Sequence, residues 1–217
     1  MKKILSLTIA AALLSLFQLS AQIDRTKAPE AGPAPVVEFG DFDKFTLDNG
    51  LCVILVEDHD RPLVSVAINF IIDPFVEGDK AGESQFFGEV WSKGTANRTA
   101  EQINNEVDFL GASFRTGSSS IGFTTLTKYT DRMMDILTDV LYNPTFPQEE
   151  MDKMRDQYLG ALQLSSSQPS SIITNILAAT VYPEGHPYRD IMTEATVNNI
   201  TADDCREYYD KYIIPNS

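Results

Sequence analysis

Histidine is nearly missing from this chain: its 217 residues include only His59 and His186. They lie far apart in the sequence, which argues against any mechanism built on a clustered histidine pair. Cysteine is equally scarce, with Cys52 and Cys205 alone, too few for a disulfide scaffold. Basic residues are outnumbered. Lys and Arg total 17 against 31 Asp and Glu, a formal net charge of -14. That balance opposes binding to nucleic acid or to anionic membrane surfaces. Past the N-terminal stretch, no apolar run approaches a transmembrane length. What is present is globular. With 43% hydrophobic and 22% charged residues, the chain has the apolar mass for one sizeable core, which excludes collagen-like, coiled-coil and wholly disordered readings.

The N-terminus reads as a targeting segment. Met1-Lys2-Lys3 is a basic start and residues 4–16 are almost entirely apolar, too short to span a bilayer. Ser20 and Ala21 follow, so residues 1–21 are expected to be a secretory signal, with a retained membrane anchor as the alternative. Residues 22–42 carry Pro29, Pro33 and Pro35 with Gly32 and Gly40, the composition of an extended leader. The product is expected to be periplasmic or secreted. In that compartment Cys52, in a predicted buried strand, and Cys205, near the start of a late helix, are either two packed thiols or one disulfide.

From residue 43 the pattern is that of a folded domain. Asp48-Asn49-Gly50 between Phe45-Thr46-Leu47 and the apolar run 51–56 predicts a hairpin with positive φ at Asn49 and Gly50. Val64, Val66, Ile68, Phe70 and Ile72 alternate as a third strand. A helix is predicted over about 82–92. Another starts at a Thr99…Gln102 capping box, buries Ile103, Val107 and Leu110, and ends at Gly111. Strands over about 112–118 and 120–127 follow. Further helices carry Met133, Ile136, Leu137 and Val140, then Met151, Met154, Tyr158, Leu159 and Leu162, with two more over 170–181 and 201–212. The methionine stripe is read as core packing in preference to a cofactor box. Strands and helices do not alternate strictly, so the expected class is α+β: a two-layer sandwich with a mainly antiparallel sheet and helices on one face.

The motifs, taken in order, resemble the N-terminal domain of the M16 metallopeptidases, the insulinase, pitrilysin and mitochondrial processing peptidase group. They are Phe45-Thr46-Leu47-Asp48-Asn49-Gly50-Leu51, Glu77-Gly78 with Gly82, Lys93-Gly94-Thr95, Arg98-Thr99-Ala100-Glu101-Gln102-Ile103, Gly111-Ala112-Ser113, Asn143-Pro144-Thr145-Phe146, Gly185-His186-Pro187-Tyr188 and Tyr212-Ile213-Ile214-Pro215-Asn216. The resemblance covers residues 43–217 and implies the LuxS/M16-like fold. It also implies a chain that stops before its last core strand and before a second, related domain, with hydrogen-bonding groups left open where that strand would pair.

The family's zinc site is an inverted His-x-x-Glu-His motif plus a distal Glu. Counted back from Lys93-Gly94-Thr95, that motif falls on Gln85-Phe86-Phe87-Gly88-Glu89, and the distal position falls on Ala161. Gln85 and Glu89 stand where the two histidines would be, Gly88 where the general base would be, and Ala161 offers no donor. His59, in a turn-like Asp58-His59-Asp60, reads as surface, and His186 as part of a structural loop. The resemblance therefore implies a silent member: no zinc, no cofactor, and a peptide-chamber role beside an active His-x-x-Glu-His subunit as heterodimer partner. An edge strand at Ala112, Ser113, Phe114, Arg115 and Thr116 is expected to accept extended peptides, with the acidic surface favouring basic ones. The competing readings are a zinc endopeptidase and a stand-alone peptide-binding scaffold.

Overall fold

The Asp48-Asn49-Gly50 segment does close a hairpin, by a different turn. The computed structural model describes Gly32 and residues 41–214. The expected signal segment, nearly all of the leader, and Pro215-Asn216-Ser217 lie outside these. Strand β1 (Phe42–Thr46) begins on the last residue assigned to the leader and pairs antiparallel with β2 (Cys52–Val56). The Gly50 N–H donates to the Leu47 carbonyl, the Leu47 N–H donates to the Leu51 carbonyl, and of the turn residues only Gly50 has positive φ, 88°. The connection is a three-residue loop closed by one left-handed glycine. Cys52 lies in a strand as expected, but is exposed, and neither it nor the buried Cys205 is bridged. All ten strand positions of this hairpin lack full burial.

The hairpin and the third strand, consecutive in the chain, belong to two different sheets. Strand β3 (Leu63–Asn69) joins β4 (Ser113–Gly117) and β5 (Ser120–Leu126) in the order β3-β5-β4, all antiparallel, while β1 and β2 stay apart. The intervening Glu57-Asp58-His59-Asp60-Arg61-Pro62 is charged and ends on a proline with no N–H to donate. β3 was predicted to reach Ile72 and stops at Asn69, because its partner begins at Ser120, opposite Asn69, and pairs no further. Its alternation has the predicted sense, with Val64, Val66 and Ile68 turned inward between exposed neighbours.

Helices α1 (Glu83–Val90), α2 (Ala100–Phe109), α3 (Thr130–Tyr142), α4 (Gln148–Ser165), α5 (Pro169–Val181), α6 (Glu194–Asn199) and α7 (Ala202–Tyr212) complete the domain. The capping box of α2 forms as read: the Thr99 hydroxyl accepts the Gln102 N–H and the Gln102 side chain accepts the Thr99 N–H. α6 had gone unread, although Thr193 starts it with a capping box of the same kind. α1 packs over β4 and α3 over β5, while Ser65, Asn69, Ser113 and Arg115 face outward, so the fold is an α+β two-layer sandwich. Phe86, Phe87, Trp91, Met133, Ile136, Leu137 and Met151 are almost wholly buried between the layers. Met133, Met151 and Met154 are thus core residues.

Candidate functional site

α1 decides where the suspected motif points. Phe86, Phe87, Val90 and Trp91 pin one side of this eight-residue helix in the core, and Phe87 meets Trp91, Phe146 and Tyr208 at ring-centroid distances of 5.2, 5.8 and 4.6 Å. Each such burial contributes about 1.5–3 kcal/mol. With that side fixed, Gln85 and Glu89, one turn apart, share the exposed side. The N-terminal turn is held by Glu77, whose carboxylate oxygens accept the N–H groups of Gly82 and Ser84, an acidic cap where the helix dipole favours one. Asp190 in turn accepts the N–H groups of Glu77 and Gly78.

α4 packs against α1 and brings Tyr158 to the motif. The Tyr158 ring stacks on Phe86 at 5.5 Å and its hydroxyl lies beside the Gln85 side chain. Burial, with the Glu89 carboxylate nearby, pushes its phenol up to about 12, so it stays protonated at neutral pH. Ala161, one turn further along α4, is exposed and carries only a methyl group. The donor set across this face is one neutral amide, one carboxylate and one protonated phenol. That set does not fit zinc, which takes deprotonated or imidazole ligands in fours, or in threes with an open position. Among the described residues no three His, Cys, Asp or Glu side chains are placed to hold a metal.

Gly88 differs from Gln85 and Glu89. It is buried, and a Cβ at this position would come within 2.7 Å of the Gly117 carbonyl carbon and of the Ser118 nitrogen. The turn between β4 and β5 occupies the space a side chain would need. The sequence shows that this position carries no side chain and not the backbone pressed against it.

The remaining expectations fall as follows. Ser113, Phe114, Arg115 and Thr116 lie on β4, whose second edge carries no strand among the described residues, while Ala112 precedes the strand. His59 is exposed, 3.3 Å from the Glu57 carboxylate. His186 is half-buried, stacks on Tyr182 at 4.6 Å and accepts the Tyr188 N–H on Nδ1. Cys205 is buried among apolar groups and its thiol is pushed up to about 12, unsuited to nucleophilic or redox chemistry.

A polar hub missed by the sequence reading sits at Asp139 on α3. Its buried carboxylate accepts from the Thr95 hydroxyl (2.8 Å), Asn97 Nδ2 (2.6 Å), Arg98 Nη1 (2.6 Å) and Asn143 Nδ2 (3.1 Å). Burial alone would raise its pKa, and these four bonds together outweigh that and hold it below the usual carboxylate value. Thr95 and Arg98, quoted above only as motif letters, are held here by one buried charge. The signal was an acidic residue between Leu137 and Val140 on the core side of an amphipathic helix.

Residues 52–194 match the family model of the insulinase peptidases, peptidase family M16. An uncharacterized zinc protease of Rickettsia felis is 30% identical over 177 residues, 76% of this chain and 42% of that protein. The bovine (Bos taurus) mitochondrial cytochrome b-c1 complex subunit 1 is 25% identical over 173 residues, 76% of this chain and 36% of that one. Among solved structures, an M16 peptidase inactive domain from Pseudomonas fluorescens superposes with a TM-score of 0.72 at 18% identity, covering 79% of this chain and 43% of that chain. The chain thus spans less than half the length of the relatives it matches.

Proposed function

Because this chain belongs to the insulinase family of M16 peptidases, we propose that it is a proteolytically inactive member that builds part of a peptide chamber beside a zinc-bearing M16 subunit. The observation that carries this reading is Gly88. The general-base position holds no side chain, and the backbone of Gly117 and Ser118 fills the space one would occupy. Gln85, Glu89 and Ala161 supply no ligand set for zinc on either side of it.

Peptide capture needs none of those groups. Among the described residues β4 pairs with β5 alone, so every second N–H and C=O along Ser113, Phe114, Arg115 and Thr116 points away from that partner, where an extended chain could pair. A heterodimeric arrangement draws support from a relative that is itself named as a subunit of a complex. The basic start and apolar stretch within residues 1–21 support a periplasmic or secreted location.

The test is direct. The purified chain is expected to carry no stoichiometric zinc and to leave peptides uncut with zinc supplied. Stoichiometric zinc together with chelator-sensitive cleavage would overturn the reading. Co-purification from the native source with a protein bearing His-x-x-Glu-His is the expected result for the partner. Isolation without such a protein would favour a stand-alone peptide-binding scaffold.

A further inference from the structure

Helix α5 turns its apolar side outward. None of its residues is buried, and within it only Ser171 and Ala178 are even half-covered by the domain. Ile172, Ile173, Ile176, Leu177 and Val181 instead keep 44–64% of their surface exposed. They form one stripe at four-residue spacing, with Ile173, Leu177 and Val181 in one row and Ile172 and Ile176 in the next. An isolated helix of this length is marginal in water and is normally held by packing of its apolar face. Among the described residues that face is uncovered.

Charge says what can cover it. The chain carries a net charge of -14, yet no charged residue falls between Asp156 and Glu184. A second copy of so acidic a chain is repelled at most surfaces. At α5 it meets an uncharged stripe. The other exposed apolar patch, at Phe42, Phe45, Ile54, Leu55 and Val56 of the β1–β2 hairpin, is flanked in the chain by Asp41, Asp43, Asp48, Glu57 and Asp58, so two copies meeting there would oppose like charges. The same net charge opposes an anionic membrane as the occupant.

The stripe is also complementary to itself. Two antiparallel copies of α5, related by a two-fold axis at Leu177, would set Ile173 of each against Val181 of the other, with the rows of one helix seated in the grooves of its partner. Five such side chains, at about 100 Å² apiece, cover about 500 Å² per copy and about 1,000 Å² in the pair, the lower end of a specific interface.

We propose that α5 is a homodimer contact, weak and reversible, in which two copies of this chain pair their helices around Leu177. It uses a different surface from β4 and does not rest on the peptide-chamber reading.

Sedimentation of the purified chain is the test. A monomer–dimer equilibrium is expected with a dissociation constant of about 1–100 μM, tightening as salt screens the two acidic copies. Leu177→Asp and Leu177→Lys, each sedimented alone, should weaken the dimer at least about tenfold, because the axis sets two like charges face to face. Mixed in equal amounts, the two should recover a dimer, which also shows that both variants fold. Ile54→Lys on the hairpin should leave the dimer unchanged. A chain that stays monomeric well above that concentration range overturns the proposal, as does one that binds phosphatidylcholine vesicles instead of itself. A dimer that survives both Leu177 variants, a dimer lost through Ile54→Lys, or a mixture that stays monomeric overturns it as well.

Discussion

Two polar clusters in this domain have opposite fates. Around Asp139, one buried carboxylate gathers four side-chain donors, three from the segment between α1 and α2 and one from Asn143 just past the end of α3, and Arg98 also pairs with Glu106. Around Gln85 and Glu89, the groups that face one another are an amide, a carboxylate and a protonated phenol, most of it open to solvent. In the first cluster every donor answers a charge that would be costly to bury alone. In the second, nothing depends on a charge being there. A polar cluster buried under a load-free surface and one exposed on a pinned helix look alike as letters, and burial separates them.

The sharpest way to break that contrast is Asp139→Ala. It strips the acceptor from Thr95, Asn97, Arg98 and Asn143 and leaves a partly buried guanidinium with one partner fewer. The expected loss is about 3–5 kcal/mol in denaturant unfolding. A loss under about 1 kcal/mol would show that the hub is ornamental.

Acidification tests the same cluster without mutation. Asp139 and Asp204 both have folded-state pKa values below their ordinary ones. For each, burial opposes the shift and hydrogen bonds outweigh it, from Asn97, Thr95, Arg98 and Asn143 in one case and from Lys80 and Thr201 in the other. A depressed carboxylate contributes stability that is complete above the unfolded pKa, about 3.9, and is lost as pH falls through the folded value. The melting temperature should therefore drop below about pH 4, and Asp139→Asn should flatten that drop. A melting temperature level from pH 7 to pH 3 would contradict the assignment.

Gly88→Ala probes the boundary between the two regions. Its Cβ meets backbone, which cannot swing aside as a side chain can, so the expected cost is about 1–3 kcal/mol. A neutral result would mean that the β4–β5 turn yields readily, and the main support for the inactive reading would weaken. Smallest of all, Gln85→Ala and Glu89→Ala should each change stability by no more than about 0.5 kcal/mol, as ordinary surface positions do. A larger loss in thermal melts at either position would reveal a structural duty for the motif.

Much of the local structure was legible because local rules set it. The capping box at Thr99 and Gln102, the period of two along β3 and the apolar stripe of α3 all depend on neighbours within a few residues. The misses share one cause. β3 ended early because Ser120 opens its partner, Cys52 came out exposed because its hairpin forms a sheet of its own, and the Asp139 hub draws on residues more than forty positions away. At Gln85, Gly88, Glu89 and Ala161 the residue types were legible, while Tyr158 was read only as a core-facing residue of its helix.

By itself, then, the sequence determined the class of fold, the family and the residue types along α1 and α4, since patterning and residue chemistry are carried by the chain directly. Only the tertiary structure decided that Gly88 has no room for a side chain and that Tyr158 stacks over Phe86 beside Gln85. Those facts arise where α1, α4 and the β4–β5 turn converge from distant parts of the chain, and close packing leaves no slack in which a residue's type alone could predict its neighbours.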